Sequence, residues 1–230
     1  MFNWTKLSDN PLDGGLLEKS QHNLHTLISF KNKNSTQYVL EECTDKRVLD
    51  VGIVEHAESF MEQDNWKHRK IKQVSSYCLG IDIIEKLIVK LIKLGYNVKC
   101  VDATSEINLE MKFNVVNIGD VIEHVNDPVK LLLFSGRHLE KDGKIIVSTP
   151  NPNFYLFLKS ALFGKMYVTN LDHLRWITPC QAQEIGRRAN LELSEIVFFL
   201  PDNLSWIKRK IRKIRPELFS MTYYYVCKHA

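Results

Sequence analysis

The 230-residue sequence predicts an α/β fold built on a doubly wound, mostly parallel sheet. Three observations carry the expectation. From position 46 onward, short strand-like runs alternate with stretches of helical periodicity, the rhythm of a parallel sheet with helices on both faces. The strand-like runs are almost wholly apolar, as befits strands buried on both faces. Right-handed crossovers between such strands then put helices on either side of the sheet.

The elements follow in order. "KRVLDVG" at 46–52 is the first strand, and a helix follows within "FMEQDNWKHRKIKQVSS" at 60–76. "YCLGIDI" at 77–83 is the second strand. "IEKLIVKLIKLG" at 84–95 spaces its apolar residues by three and four, with Gly95 placed to end the helix. "NVKCVD" at 97–102 and "FNVVNIG" at 113–119 are the third and fourth strands. "DPVKLLLFSGRHL" at 127–139 is a helix, and "GKIIVSTP" at 143–150 is a fifth strand stopped by Pro150. "TPCQAQEIGRRAN" at 178–190 reads as a helix with Thr178 as N-cap and Pro179 in its first turn. "LELSEIVFF" at 191–199 and "FSMTYYYVCK" at 219–228 complete a seven-stranded sheet.

This core spans 46–200. Residues 1–45, with an amphipathic stretch in "LLEKSQHNLHTLISF", are expected to form an N-terminal helical cover. The aromatic-rich segment at about 151–177 reads as an insertion after the fifth strand. A basic helix and the last strand, within 201–230, finish the same domain.

Composition is that of a globular protein, with 44% hydrophobic and 25% charged residues. The net charge of +4 is unevenly placed: "KRKIRKIR" at 208–215 holds six basic residues, which leaves the rest of the chain slightly acidic. Five scattered cysteines with no CxxC pair argue against a disulfide framework or a cysteine zinc site. The N-terminus lacks the basic start and apolar core of a signal peptide. No apolar run nears the roughly 20 residues that span a bilayer. A cytoplasmic protein is expected.

In a doubly wound sheet the ligand lies beyond the carboxyl ends of the strands. Those ends carry Asp50 and Gly52, then Asp82, then Asp102, then Gly119 and Asp120. Acids at four successive ends suit a ligand with an amine and a ribose better than a diphosphate, and no GxxxxGK[ST] is present. A lone aspartate there would be read as a turn cap.

"RVLDVG", "GIDI", "VKCVDAT", "FNVVNIGDVIEHVNDPVKLL", "RHLEKDGKIIVSTPNP" and "HLRWITPCQAQEIGRRANLELSEI" together resemble class I S-adenosylmethionine-dependent methyltransferases. The resemblance covers roughly residues 45–200 and implies the Rossmann-like class I methyltransferase fold. It also implies roles for the matching positions. Gly52 would let the first loop pass the methionine part of the cofactor, and Asp50 would hold that loop and the amino group. Asp82, followed by Ile83, would accept the ribose hydroxyls. Asp102 and Ala103 would border the adenine, and Ile118 and Gly119 would line the methionine side. One departure stands out: the family's G-x-G-x-G reads "VGIVEHAES" here, with Glu55 and Ala57 in place of glycines. Either Trp66 and His68 in "EQDNWKH" shape the loop differently, or cofactor binding has been lost.

The stretch "IGDVIEHV" at 118–125 gathers Asp120, Glu123 and His124, which a helix would set on one face. Two branches of the resembled family, ubiquinone-biosynthesis and small-RNA O-methyltransferases, bind a divalent metal with E-x-x-E-H. Here Asp120 takes the place of the first Glu, and His173 in "NLDHLRW" matches a later ligand of the RNA branch. Asp120, Glu123, His124 and His173 are therefore candidate ligands for Mg²⁺, Mn²⁺, Fe²⁺ or Zn²⁺. A metal-free His124 base and a purely structural helix start stand beside that reading.

The resemblance points to O-methylation, and among acceptors to a sugar hydroxyl of a bacterial surface glycan or its lipid-linked precursor. A quinone, an RNA 2′-hydroxyl and a cofactor-less binding protein are the alternatives. The amphipathic tail at 204–218 could touch an anionic membrane peripherally, though a solvated helix face is the commoner outcome. Phe154, Tyr155, Phe157, Phe163 and Tyr167 are expected as lid core, Tyr223–Tyr225 as alternating strand residues, and His22 and His25 on the cover. Nucleic acid is an unfavoured partner.

Overall fold

A computed structural model describes residues 2–54, 61, 63–164, 170–200, 210 and 215–230. Its strands are β1 (Ile28–Lys31), β2 (Arg47–Val51), β3 (Tyr77–Asp82), β4 (Val98–Cys100), β5 (Phe113–Gly119), β6 (Leu139–Pro150), β7 (Leu191–Phe199) and β8 (Thr222–His229). The helices described are α1 (Gly14–Leu27), α2 (Ser35–Cys43), α3 (Lys67–Val74), α4 (Glu85–Lys93), α5 (Pro128–Arg137), α6 (Tyr155–Leu162) and α7 (Pro179–Arg188). They flank one sheet of order β1-β7-β8-β6-β5-β2-β3-β4. Only β8 runs antiparallel to its neighbours, slotted between β6 and β7.

The sheet has eight strands where seven were expected. The extra one is β1, which pairs parallel to β7 from Ile28↔Ile196 to Lys31↔Phe199. The N-terminal segment is thus not a purely helical cover. "ISF" leaves α1 as a strand because its apolar side chains extend the sheet edge, and Phe30 stacks on Phe198 at 5.8 Å.

The central strands are buried on both faces: β2 and β5 carry almost no exposed position. Leu49, Leu79, Val116, Leu131 and Ile145 pack on one face, and Val48, Ile71, Val115 and Ile146 on the other. Each fully buried aliphatic contributes roughly 1.5–3 kcal/mol. Local signals set the helix starts. Asp127 accepts from Lys130 N–H ahead of Pro128, and Thr178 and Gln181 close a reciprocal capping box.

One row of residues crosses the middle of this sheet. Asp50 on β2 pairs with Gly80 on β3 and with Asn117 on β5. A carboxylate and an amide in the heart of a parallel sheet need partners, and the row provides them.

His138, fully buried after α5, donates from Nδ1 to the Phe134 carbonyl at 2.8 Å and accepts the Leu109 N–H on Nε2 at 2.9 Å. Burial, helped by Arg137 and Lys112, holds its pKa below the ordinary 6.5. The unfolded chain therefore takes up this proton first as pH falls, and stability drops below pH ~6.5. Thermal melts from pH 7.5 down to 5.5 should show that drop, and His138→Gln should flatten it; equal slopes in the two proteins would count against the assignment.

Candidate active site

The carboxyl ends of β2, β3, β4 and β5 lie side by side. After β2, Gly52 has a φ of +76°, and an added Cβ would meet Val121 Cγ2 at 2.1 Å. The next residues are held one by one. Gly52 N–H donates to the Ile81 carbonyl (2.9 Å), the Trp66 indole N–H donates to the Ile53 carbonyl (2.9 Å), and Val54 N–H donates to Asp82 Oδ2 (2.9 Å). Asp82 also accepts from Ile84 N–H through Oδ1. Burial raises its pKa against the pull of those backbone donors.

Asp50 is buried, with Oδ1 accepting from the Asn117 amide (2.7 Å) and Oδ2 from His68 Nδ1–H (2.8 Å). Its carboxylate thus serves the interior of the sheet, its partners being Asn117 and His68. Asp102 is exposed and closes its own turn, accepting from Thr104 N–H and the Thr104 hydroxyl. Ala103 and Ile118 are buried, Ile83 is exposed, and Gly119 is half-buried beside Ser148 of β6. Glu55 and Ala57 lie outside the described residues.

The "IGDVIEHV" stretch is not helical. Residues 122–124 form a turn closed by His124 N–H on the Val121 carbonyl (3.0 Å), and α5 begins only at Pro128. The helix is delayed because Asp127 and Pro128 supply the cap and first turn there. Asp120 takes a φ of +53° and is steadied by Ser148, whose hydroxyl accepts its N–H and donates to its Oδ1. Its other oxygen faces Lys67 at 3.5 Å.

Glu123, His124 and His173 do come together, their ligand atoms all within 4.8 Å of one another. Asp120 is not in that group, which corrects the four-ligand expectation to three. The insertion brings His173: Leu174 N–H donates to the Glu123 carbonyl (3.0 Å), and the His124 and His173 rings meet edge-on at 4.8 Å. His124 Nδ1 lies 3.1 Å from Asp172 Oδ2 and 3.2 Å from the Asp172 carbonyl. Donation from that nitrogen leaves Nε2 as the acceptor or ligand atom.

Glu123 is fully buried, and among the described residues neither carboxylate oxygen makes a hydrogen bond of regular geometry. Burial, with the Asp120 charge behind it, pushes its pKa up to about 8. Thr149, itself buried, tempers that rise without a hydrogen bond of regular geometry.

Sequence reasoning missed Asn117, Ser148 and Asp172, and gave His68 no partner. Only the strand register could have found Asn117 opposite Asp50 and Ser148 opposite Gly119. Of the expected lid aromatics, Phe154 is buried, Phe157 packs on Trp176 at 4.8 Å and Tyr155 on Phe219 at 5.4 Å. Phe163 is 72% exposed among the described residues and so is no core residue there; it follows α6, which has no fully buried side chain. Tyr223, Tyr224 and Tyr225 are all buried, since helices cover both faces of β8. His22 and His25 lie on α1. Tyr167 and, apart from Lys210 and Arg215, the basic run lie outside the described residues. Among those described, no helix is long and apolar enough to cross a membrane.

A family model described as a methyltransferase domain matches residues 20–196. The chain is 26% identical over 174 residues to the ubiquinone biosynthesis O-methyltransferase of Coxiella burnetii (strain RSA 331 / Henzerling II), covering 70% of each protein. Its fold is similar to that of a SAM dependent methyltransferase from Archaeoglobus fulgidus, with a TM-score of 0.59 and 18% identity over 94% of this chain and all of that one. An S-adenosylmethionine-dependent methyltransferase from Clostridium acetobutylicum ATCC 824 aligns with a TM-score of 0.57 and 12% identity, covering 87% and 92%. The order of strands and the family match agree: this chain belongs to the methyltransferase domain family, has the class I fold and is an S-adenosylmethionine-dependent methyltransferase.

Proposed function

We propose that the chain methylates a hydroxyl oxygen, and that this hydroxyl sits on an aromatic ring of the quinone-precursor type. The observation that carries the reading is the meeting of Glu123, His124 and His173 in the turn after β5. The Coxiella burnetii relative, named for ubiquinone biosynthesis, favours a phenolic acceptor over the sugar hydroxyl expected from the motifs alone. An open groove of about 410 Å³ lies beside the 174–177 segment, lined by the apolar Pro128, Val129, Leu174, Trp176, Ile177 and Ile185 and by the polar Arg175, Gln181, Glu184 and Arg188.

S-adenosylmethionine supplies the electrophilic methyl group. Gly52 and the 53–54 peptides would border its methionine end with Ile118 and Gly119, Asp82 and Ile83 its ribose, and Asp102 and Ala103 its adenine. Glu123, His124 and His173 would hold a divalent cation, which a buried carboxyl with no hydrogen bond of regular geometry among the described residues fits well; its contribution is to lower the pKa of an acceptor hydroxyl. The residues' own tasks are clear in either case. Glu123 supplies a buried carboxyl that gives up its proton when a cation binds, and Asp172 holds the His124 ring through Nδ1, leaving Nε2 as the ligand or acceptor atom. The Asp172 contact also supports a second reading, in which His124 takes the acceptor proton itself.

Transfer of radiolabelled methyl from S-adenosylmethionine to catechol-type phenols and to free sugars, with and without chelator, tests these readings. Phenol methylation lost on chelation and restored by Mg²⁺ or Mn²⁺ is expected. Sugar methylation alone would overturn the acceptor class, and full activity under chelation would leave only the His124 base. In both readings Asp172→Asn should lower kcat/KM by ~10–100-fold, and a loss under about threefold would remove Asp172 from the machinery.

A further inference from the structure

The loop after β2 carries one glycine where the family pattern has three, and its first residues, 52–54, are each held in place. Gly52, Ile53 and Val54 are each fixed through a backbone group: to the Ile81 carbonyl, to the Trp66 indole and to the Asp82 carboxylate. Trp66 is buried and wedged between the His68 ring at 5.3 Å and the Tyr96 ring at 5.2 Å. His68, also buried, lies over Gly80 so closely that an added Cβ there would meet its Cε1 at 2.6 Å and Ile53 Cδ1 at 2.7 Å. Its Nδ1–H reaches Asp50, which Asn117 holds from the other side. A row of three sheet positions thus anchors His68, His68 and Tyr96 seat Trp66, and Trp66 holds the loop carbonyl.

We infer that Trp66 and His68 are positioning residues for the cofactor, a clamp that does with side chains what additional glycines would do with backbone freedom. Glycine lets a loop adopt a close-approach path at the cost of conformational entropy. Here buried donors and acceptors hold residues 52–54 instead, so this part of the loop is organised before ligand arrives. The clamp acts on the donor side of the site and leaves the acceptor residues untouched. It rests on the S-adenosylmethionine dependence of the chain, not on the choice of acceptor or metal.

The test is calorimetric titration of S-adenosylhomocysteine into the wild-type protein, Trp66→Phe, His68→Gln and Ile71→Val. Trp66→Phe keeps an aromatic ring and removes the N–H together with the second ring of the indole, a loss of volume that the stability control is there to separate. Ile71→Val, on the same helix but packed toward Val48 and Cys78, is a stability control. The two clamp variants should weaken binding by ~10-fold or more and raise KM for S-adenosylmethionine, with KM for the acceptor unchanged. Ile71→Val should bind like wild type although its melting temperature falls. Wild-type affinity in Trp66→Phe, or equal weakening in Ile71→Val, would overturn the clamp. A wild-type protein that takes up no S-adenosylhomocysteine would overturn the loop's cofactor role altogether.

Discussion

Glu123→Gln should lower kcat/KM by ~10²–10⁴-fold and, in the same protein, raise thermal stability at pH 8. The two effects share one cause. The carboxyl is enclosed with no hydrogen bond of regular geometry among the described residues, and burial pushes its pKa up to about 8 from an ordinary 4.5. Between those values the folded protein keeps a proton that the unfolded chain has released. Stability is therefore greatest below pH 4.5 as far as this group is concerned, falls as pH rises through the window, and is lost above pH 8. A gap of about 3.5 units sets an upper bound of roughly 5 kcal/mol. Glutamine has the same shape and no charge to desolvate, so its advantage should grow from pH 5 to pH 8. Mn²⁺ added at pH 8 should restore the wild-type melting temperature and leave the variant unmoved, because only the wild type offers a buried anion. Retained activity, or parallel pH–stability curves, would show that the carboxylate is neither needed nor strained. Trading stability for a buried charge is the signature of a functional group rather than a packing residue.

The parallel sheet was legible because its strands announce themselves. "VLDV", "YCLGID" and "FNVVNIG" are short, mostly apolar runs, and each became a strand within a residue or two of its expected place. The N-terminal strand β1 was not legible. "ISF" follows fourteen residues of helix without a glycine or proline between them, and only the free edge of β7 turns it into a strand. The site divides similarly. Glu123 and His124 could be gathered from motif spacing, because a turn and a helix start put the same residues near one another, whereas His173 was reached only through the family resemblance. Asp120 could not be excluded on that basis: its removal from the group depends on a left-handed backbone and on Ser148, which is distant in sequence and adjacent only through the β5–β6 register. Asp172 was invisible for the same reason, since the return path of the insertion decides what faces His124. Pairings between strands and returning loops set these details, and single-sequence periodicity carries no information on them.

Gly52→Ala should nearly abolish cofactor binding, with S-adenosylhomocysteine affinity falling by ~100-fold or more. Two separable penalties act at this position. A φ of +76° disfavours any side chain by about 1–2 kcal/mol. The new methyl would also sit 2.1 Å from Val121 Cγ2, and overpacking of that kind costs about 1–3 kcal/mol more. Val121 has little room to yield, being β-branched and held between Asp120, bonded to Ser148, and the turn that carries Glu123. The substitution should therefore push the donor loop and the acceptor turn apart together. A Val121→Ala second change removes Cγ2 and should return the clash part of the stability loss while leaving the backbone part, so the double variant should melt between Gly52→Ala and wild type. If it melts no higher than Gly52→Ala, the contact with Val121 is not what demands glycine. If it does, the contact between Gly52 and Val121 is where the two halves of "IGDVIEHV" meet the cofactor loop, and the spacing between methyl donor and acceptor is set by one glycine packed against one valine.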